Sequence, residues 1–181
     1  AEMSFGNSQN YSSFLYIFVG TFLGGGLVLN NQLVNGKTGN AGAIGSLPFY
    51  NGSTQSQLIT QSSLYLLERK LNDAGHNGQH IYESPSHWSC DTRSIEDWLS
   101  ETARGLAFAT QCAMSLLDLD GVIIDGAIPD DVKNALVAHT QSAMETLDMR
   151  GLAQVHISEG LVGRKAQSIG SANLALQANY Y

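Results

Sequence analysis

Charge is scarce in this 181-residue sequence: Asp, Glu, Lys and Arg make up 14% of it, against roughly 25% in an ordinary soluble chain. Part of its surface is therefore expected to meet something other than water. Base is scarcer than acid, with 9 Lys and Arg against 16 Asp and Glu and a formal net charge of −7. The basic stripe that neutralises phosphates is missing, which argues against DNA binding by this segment alone. Cysteine occurs only at Cys90 and Cys112, too few for the framework of a small secreted scaffold, and no secretory leader pattern opens the chain, so a reducing cytoplasm is expected. No apolar run reaches the roughly 20 residues that cross a bilayer, because residues 14–29 are broken by Gly20, Thr21 and three consecutive glycines. No membrane partner is expected. An initiator Met is lacking too: Ala1-Glu2-Met3 opens the chain as part of a longer protein would.

Glycine, by contrast, is abundant, with 19 residues beside only three prolines, which points to tight turns and close backbone approaches rather than disorder. With 43% hydrophobic residues, positions 1–181 are expected to form a single domain. Residues 14–19 are a β-branched and aromatic run without polar alternation, the mark of a strand covered on both faces. Leu27, Val28 and Leu29 meet Asn30-Asn31 and resume as Gln32-Leu33-Val34, two strands joined by a turn of residues that tolerate left-handed backbone. A glycine-rich loop spans 36–46, a short strand 47–50, and the spacing of Leu58, Ile59, Leu66 and Leu67 predicts a helix over 56–72, closed by Gly75. Residues 76–91 read as a polar surface connection.

A long helix opens at an N-cap of Thr92 or Ser94 and carries Trp98, Leu99, Ala103, Leu106 and Ala109 along one face through Leu117. Then come a buried strand over 121–127, a helix from Pro129 to about Asp148, a strand over 153–157 and a last helix over 165–179. The order β-β-β-(α)-α-β-α-β-α describes an α/β domain of ribonuclease H-like pattern, a mixed five-stranded sheet with helices packed on it.

Gly20-Thr21-Phe22-Leu23-Gly24-Gly25-Gly26 puts small residues and a hydroxyl at the bend between two strands. Such a bend is either a plain turn or an anion-binding concavity of backbone N–H groups. It lacks the Lys-Ser/Thr and following helix of a Walker loop. His76, His80, His87 and Cys90 are close in sequence but have no Cys-x-x-Cys pair, and they read as loop residues rather than zinc ligands. Asp118 and Asp120 read as helix-end charges, His139 as a helix-surface residue and His156 as a strand residue.

The glycine segment, followed by Asn31, Gly36, Gly39-Asn40-Ala41-Gly42 and Gly45, closely resembles the ROK family of repressors, open reading frames and sugar kinases. The likeness continues through Leu116-Leu117-Asp118-Leu119-Asp120-Gly121-Val122-Ile123-Ile124-Asp125-Gly126 and Gly170-Ser171-Ala172-Asn173-Leu174-Ala175. It implies the C-terminal half of a ROK protein: one lobe of an actin-like ATPase fold, with ATP and sugar held between it and an N-terminal lobe that carries the catalytic aspartate. No catalytic residue is implied in this chain.

The departures are informative. Family members that bind sugar carry a Glu and a His in Gly-x-x-Gly-x-Ala-Gly-Glu-x-Gly-His, both on sugar hydroxyls, the His also on zinc; here the positions hold Ala43 and Ser46. A methyl group cannot accept the bonds that a carboxylate accepts. The family's zinc loop, Cys-x-Cys-Gly-x-x-Gly-Cys, has no counterpart in residues 51–63, so no zinc cofactor is expected. Asp125 and Gly126 stand in the nucleotide-side turn, where the family commonly has Gly, and a carboxylate pointing into the cleft would repel phosphate. ATP is therefore not expected either.

These features favour a kinase-inactive, effector-sensing and dimerising half of a ROK-type transcriptional regulator, a repressor responsive to a sugar or derivative. DNA would be read by a helix-turn-helix domain elsewhere in the full protein. The alternative is the C-terminal half of a divergent ROK sugar kinase. Ligand-facing residues are expected at Thr21, Gly25, Gly26, Asn40 and Gly42, though the same residues serve equally to preserve the fold.

Overall fold

The computed structural model describes residues 1–6, 10–52, 54–83, 86–166 and 168–170. The apolar run at 14–19 becomes β1 (Phe14–Val19), the middle strand of the five-stranded sheet β3-β2-β1-β6-β7. β2 (Leu23–Leu29) pairs antiparallel with β1 and with β3 (Gln32–Val34). Their link, Asn30-Asn31, holds φ of 52° and 62°, as Asn tolerates. β6 (Gly121–Gly126) runs parallel to β1 in the register Phe14↔Gly121 to Val19↔Gly126, and β7 (His156–Glu159) runs parallel to β6. The mixed sheet expected from the element order is thus the one observed.

Side chains of alternate residues go to opposite faces of the sheet. Leu15, Ile17, Val19, Leu27, Val122, Ile124 and Ile157 join one core with Trp98, Leu106 and Leu136, which lie on α4 (Thr92–Leu117) and α5 (Asp130–Met144). Phe14, Val28 and Ile123 form a smaller cluster on the other face with Tyr11 and Tyr16. A cavity of about 510 Å³ separates that face from the short α1 (Glu2–Phe5).

Between β3 and α4 the chain departs from the periodicity. Residues 56–63 are not helical: Pro48–Asn51 and Thr54–Gln57 form a hairpin, β4 and β5, and Leu58–Thr60 is a 3₁₀ turn. The helix, α2, covers only Leu64–Asp73 and is capped by Ser63, whose hydroxyl accepts from Leu66 N. Packing explains the override. Leu58 is fully buried against Gly105 of α4, where a Cβ would lie 2.6 Å from Leu58 Cδ1 and 2.5 Å from Ser62 Oγ. A continued helix would forfeit that fit.

Residues 76–91 are more than a surface connection. They contain α3 (His80–Glu83), Ile81 is fully buried, and Trp88 donates from Nε1 to Ile81 O while meeting Trp98 edge-on at 6.1 Å. The cap of α4 is Asp91 rather than Thr92 or Ser94, with its carboxylate accepting from both N and Oγ of Ser94. α5 ends at Met144, short of Asp148, and β7 begins at His156 rather than at residue 153. A 3₁₀ turn, Gly163–Lys165, stands where the last helix was expected to begin, and residues 166 and 168–170 are helical; residues 171–179 of that helix, including most of the Gly170–Ala175 motif, lie outside the described residues.

Candidate functional site

In open α/β sheets, ligands bind beyond the carboxyl ends of the parallel strands. Here that edge is made by β1, β6 and β7, which end at Val19, Gly126 and Glu159. The turn after β1 is closed by Gly20 N donating to Phe22 O, with Phe22 63% exposed. The carbonyls of Gly20 and Thr21 accept from Leu64 N (2.9 Å) and Tyr65 N (3.3 Å), the first turn of α2. The Thr21 side chain acts weakly on the Tyr82 phenol of α3, in the direction that lowers its pKa. The Tyr82 phenol is pushed up to about 12 by burial and by Glu68, whose Oε2 it donates to at 3.2 Å.

The glycine loop lies on β2 backbone to backbone. A Cβ on Gly25 would fall 2.4 Å from Gly42 O, and one on Gly42, at φ 78°, would fall 2.9 Å from Gly26 Cα. A Cβ on Gly45 would meet Leu23 O at 2.7 Å, whereas Gly24 and Gly26 have nothing within 4 Å of theirs. Gly25, Gly26 and Gly42 are thus brought together, with close packing as the visible use of Gly25 and Gly42. Thr21 sits apart on the turn, and Asn40 is exposed, its amide donating to Thr38 Oγ1. Ile44 and Gly45 are buried in a 3₁₀ turn, and Ala43 and Ser46 on either side of them are exposed.

Asp125 does not face outward. It is 0% exposed and turned into the fold. Its Oδ1 accepts from Gly126 N at 2.9 Å and lies 3.6 Å from Lys133 Nζ; its Oδ2 accepts from Tyr16 Oη at 2.9 Å and from Gly163 N at 2.8 Å. The repulsion of phosphate weighed from the sequence therefore does not arise. Burial, and then the negative charge of Asp125, push the Tyr16 phenol far above its usual range. Lys133 is itself buried, donates to Gly160 O at 2.8 Å and pairs with Asp130 at 3.1 Å. Neither Tyr16 nor Lys133 stood out in the motifs. The available signal was a lysine set among Val132, Leu136 and Val137 on the inward face of a helix.

At the opposite edge, Asp120 accepts from Ser12 N, Ser12 Oγ and Ser13 N, which hold its carboxyl below the usual range; it ties the start of β1 to the entry of β6 rather than merely closing a helix. His156 takes part in a 2.7 Å bond between its Nδ1 and Tyr11 Oη. His139 of α5 lies 3.3 Å from Glu96 of the neighbouring α4. Burial raises both Cys90 and Cys112, Asp91 adding to the shift of the former, so neither thiol is activated. Among the described residues, no three His, Cys, Asp or Glu side chains are placed to hold a metal ion, and no helix is long and apolar enough to cross a membrane.

Residues 1–57 match the ROK family. The bifunctional enzyme NanE/NanK of Brucella melitensis is 24% identical over 99% of this chain and 33% of that protein. A ROK family glucokinase from Streptomyces griseus, solved with glucose and AMPPNP, is 22% identical with a TM-score of 0.77, over 97% of this chain and 64% of that one. A ROK family transcriptional regulator, a homolog of the E. coli MLC protein, is 20% identical with a TM-score of 0.74, over 94% of this chain and 47% of that one. The chain spans 38% and 33% of the curated relatives it matches. The structural likenesses carry the fold, an actin-like ATPase lobe, to which kinases and a regulator alike conform. In its opening 57 residues, and in the fold of its described residues, the chain is similar to proteins of the ROK family.

Proposed function

We propose that this lobe is the effector-sensing and dimerising part of a ROK-type transcriptional regulator that responds to a sugar or sugar derivative and does not phosphorylate it. The observation that carries the reading is the pair Ala43 and Ser46. Both are exposed on either side of the buried Ile44 and Gly45, on the loop that the family resemblance assigns to sugar recognition. A methyl group and one short hydroxyl stand there in place of a carboxylate and an imidazole. The bonds that would fix and orient a hexose hydroxyl for transfer are missing, so a sugar is held by fewer partners.

In this reading the chain needs neither zinc nor ATP. Two copies pair, and an effector bound between this lobe and its companion shifts the pair between DNA-bound and free states. Such a shift requires different affinities of the effector for the two states. With a net charge of −7, this segment leaves DNA contact to a basic helix-turn-helix domain elsewhere in the full protein.

The test uses the full-length protein, DNA from the neighbourhood of its own gene and a panel of sugars and sugar phosphates. Gel-shift binding that one sugar weakens or tightens, without sugar-dependent release of ADP from ATP, is the expected result. Sugar-dependent ADP release from a protein that retains no DNA would overturn the proposal in favour of a divergent kinase.

A further inference from the structure

The surroundings of Asp125 have the composition of an anion-binding site. Three hydrogen-bond donors and a cation converge on its carboxylate from four separate elements: Gly126 N at the end of β6, Gly163 N in the turn after β7, Tyr16 Oη from β1 and, 3.6 Å away as an ion pair, Lys133 Nζ from α5. Two backbone N–H groups, a phenol and an ammonium are the donor types that proteins gather around a carboxylate or phosphate. They lie at the carboxyl edge of the parallel strands, where α/β sheets take their ligands. We propose that this edge is an anion site which the chain fills from within, Asp125 being its permanent occupant.

The surroundings are shaped around that occupant. Gly160 presses on it so closely that a Cβ there would lie 2.6 Å from Asp125 Cβ and 2.8 Å from its Oδ2. Gly160 is held in turn by its own N–H on Ile124 O and by its carbonyl on Lys133 Nζ. The donors are therefore fixed by the sheet and by α5 as well as by the carboxylate. While Asp125 is present, an outside anion finds these donors taken. Once the carboxylate is removed, the vacated space matches a small monocarboxylate and is too confined for a nucleotide. This inference does not rest on the regulatory reading, since a lobe of either kind could carry its own anion.

The experiment is chemical rescue of the full chain, read as the midpoint of thermal unfolding. Asp125→Ala lacks the atoms of a formate ion, and Asp125→Gly lacks those of an acetate ion. Both variants are expected to unfold at lower temperature than the parent in sodium chloride. Formate should restore at least half of the loss in Asp125→Ala, and acetate should do the same in Asp125→Gly, each at ionic strength matched to the chloride control. Asp125→Asn, whose amide fills the space, should lose stability and gain nothing from either anion, and the parent chain should not respond.

Equal midpoints in carboxylate and chloride for both small variants would overturn the proposal. So would a rise in the parent as large as that in the variants, which would place the anion elsewhere. If the small variants are recovered only as insoluble protein, the readout becomes soluble yield after refolding in formate or acetate against chloride, and equal yields overturn it. None of these readouts involves DNA or sugar, so this inference and the regulatory proposal fail separately.

Discussion

Replacing neighbouring glycines of β2 one at a time separates packing from ligand contact. None of Gly24, Gly25 and Gly26 has a positive φ, so alanine is conformationally acceptable at each and only space distinguishes them. At Gly24 a Cβ meets nothing within 4 Å; at Gly25 it would stand 2.4 Å from Gly42 O and 2.8 Å from Ile44 Cγ1. Relief at Gly25 requires the 36–46 loop to lift by about 1 Å, an overpacking that costs about 1–3 kcal/mol. Alanine also stiffens the unfolded chain, which returns about 0.4–1 kcal/mol at either position. Gly25→Ala should therefore lose about 1–2 kcal/mol net while Gly24→Ala gains a few tenths or more. At about 2–4 °C per kcal/mol for a domain of this size, the two midpoints should differ by about 4–10 °C in differential scanning calorimetry. Coincident midpoints, or a Gly24→Ala variant as unstable as Gly25→Ala, would refute the claim that the loop is seated on β2 through Gly25.

Lys133→Met leaves the Asp125 carboxylate buried without its cation and should cost about 3–5 kcal/mol in urea unfolding, whereas Asp130→Ala, removing a partner 91% exposed, should cost less than about 1 kcal/mol. Asp120 has a folded pKa held below the usual range, so its contribution is complete above the unfolded value of about 3.9 and fades as pH falls through the folded one. The stability gap between the parent and Asp120→Asn should accordingly be constant near neutrality and close in acid below about pH 4, with a gap unchanged down to pH 2 as the contrary result. Trp88→Leu removes the edge-on contact with Trp98 and the bond to Ile81 O, and should cost about 2–3 kcal/mol while altering the emission of the remaining Trp98. A change below about 0.5 kcal/mol, the size of an ordinary surface substitution, would show residues 76–91 to be loosely attached.

The strands were legible because their signals are local. The run at 14–19 has no polar alternation, Asn30-Asn31 marks the turn from β2 to β3, and the Val122-Ile123-Ile124 core of β6 is apolar in a strand buried at every position. The segment before α2 was not legible, because the leucine spacing at 58–67 fits a helix as well as it fits a turn seated on Gly105, and only the position of α4 decides. In α4 the periodic face was read correctly as far as Ala109, but Leu116, expected on the same face, is 82% exposed, and Leu117 is exposed as well. Asp125 was read as a charge that an incoming phosphate would meet. Its actual partners, Tyr16, Lys133 and Gly163, lie 109, 8 and 38 residues away in sequence and meet only after β1, α5 and the turn beyond β7 have assembled. Spacing rules report neighbours along the chain, and this cluster has none but Gly126.

The seating of α2 has a mechanical consequence. Its first turn hangs from the carbonyls of Gly20 and Thr21, and the residue just before it, Ser63, gives its own carbonyl to the indole of Trp98 in the middle of the core. The bend after β1 is therefore one end of a lever whose other end is clamped in α4. A displacement of the bend would pull on the start of α2 and, through Ser63, on the fully buried Trp98, which meets Trp88 edge-on.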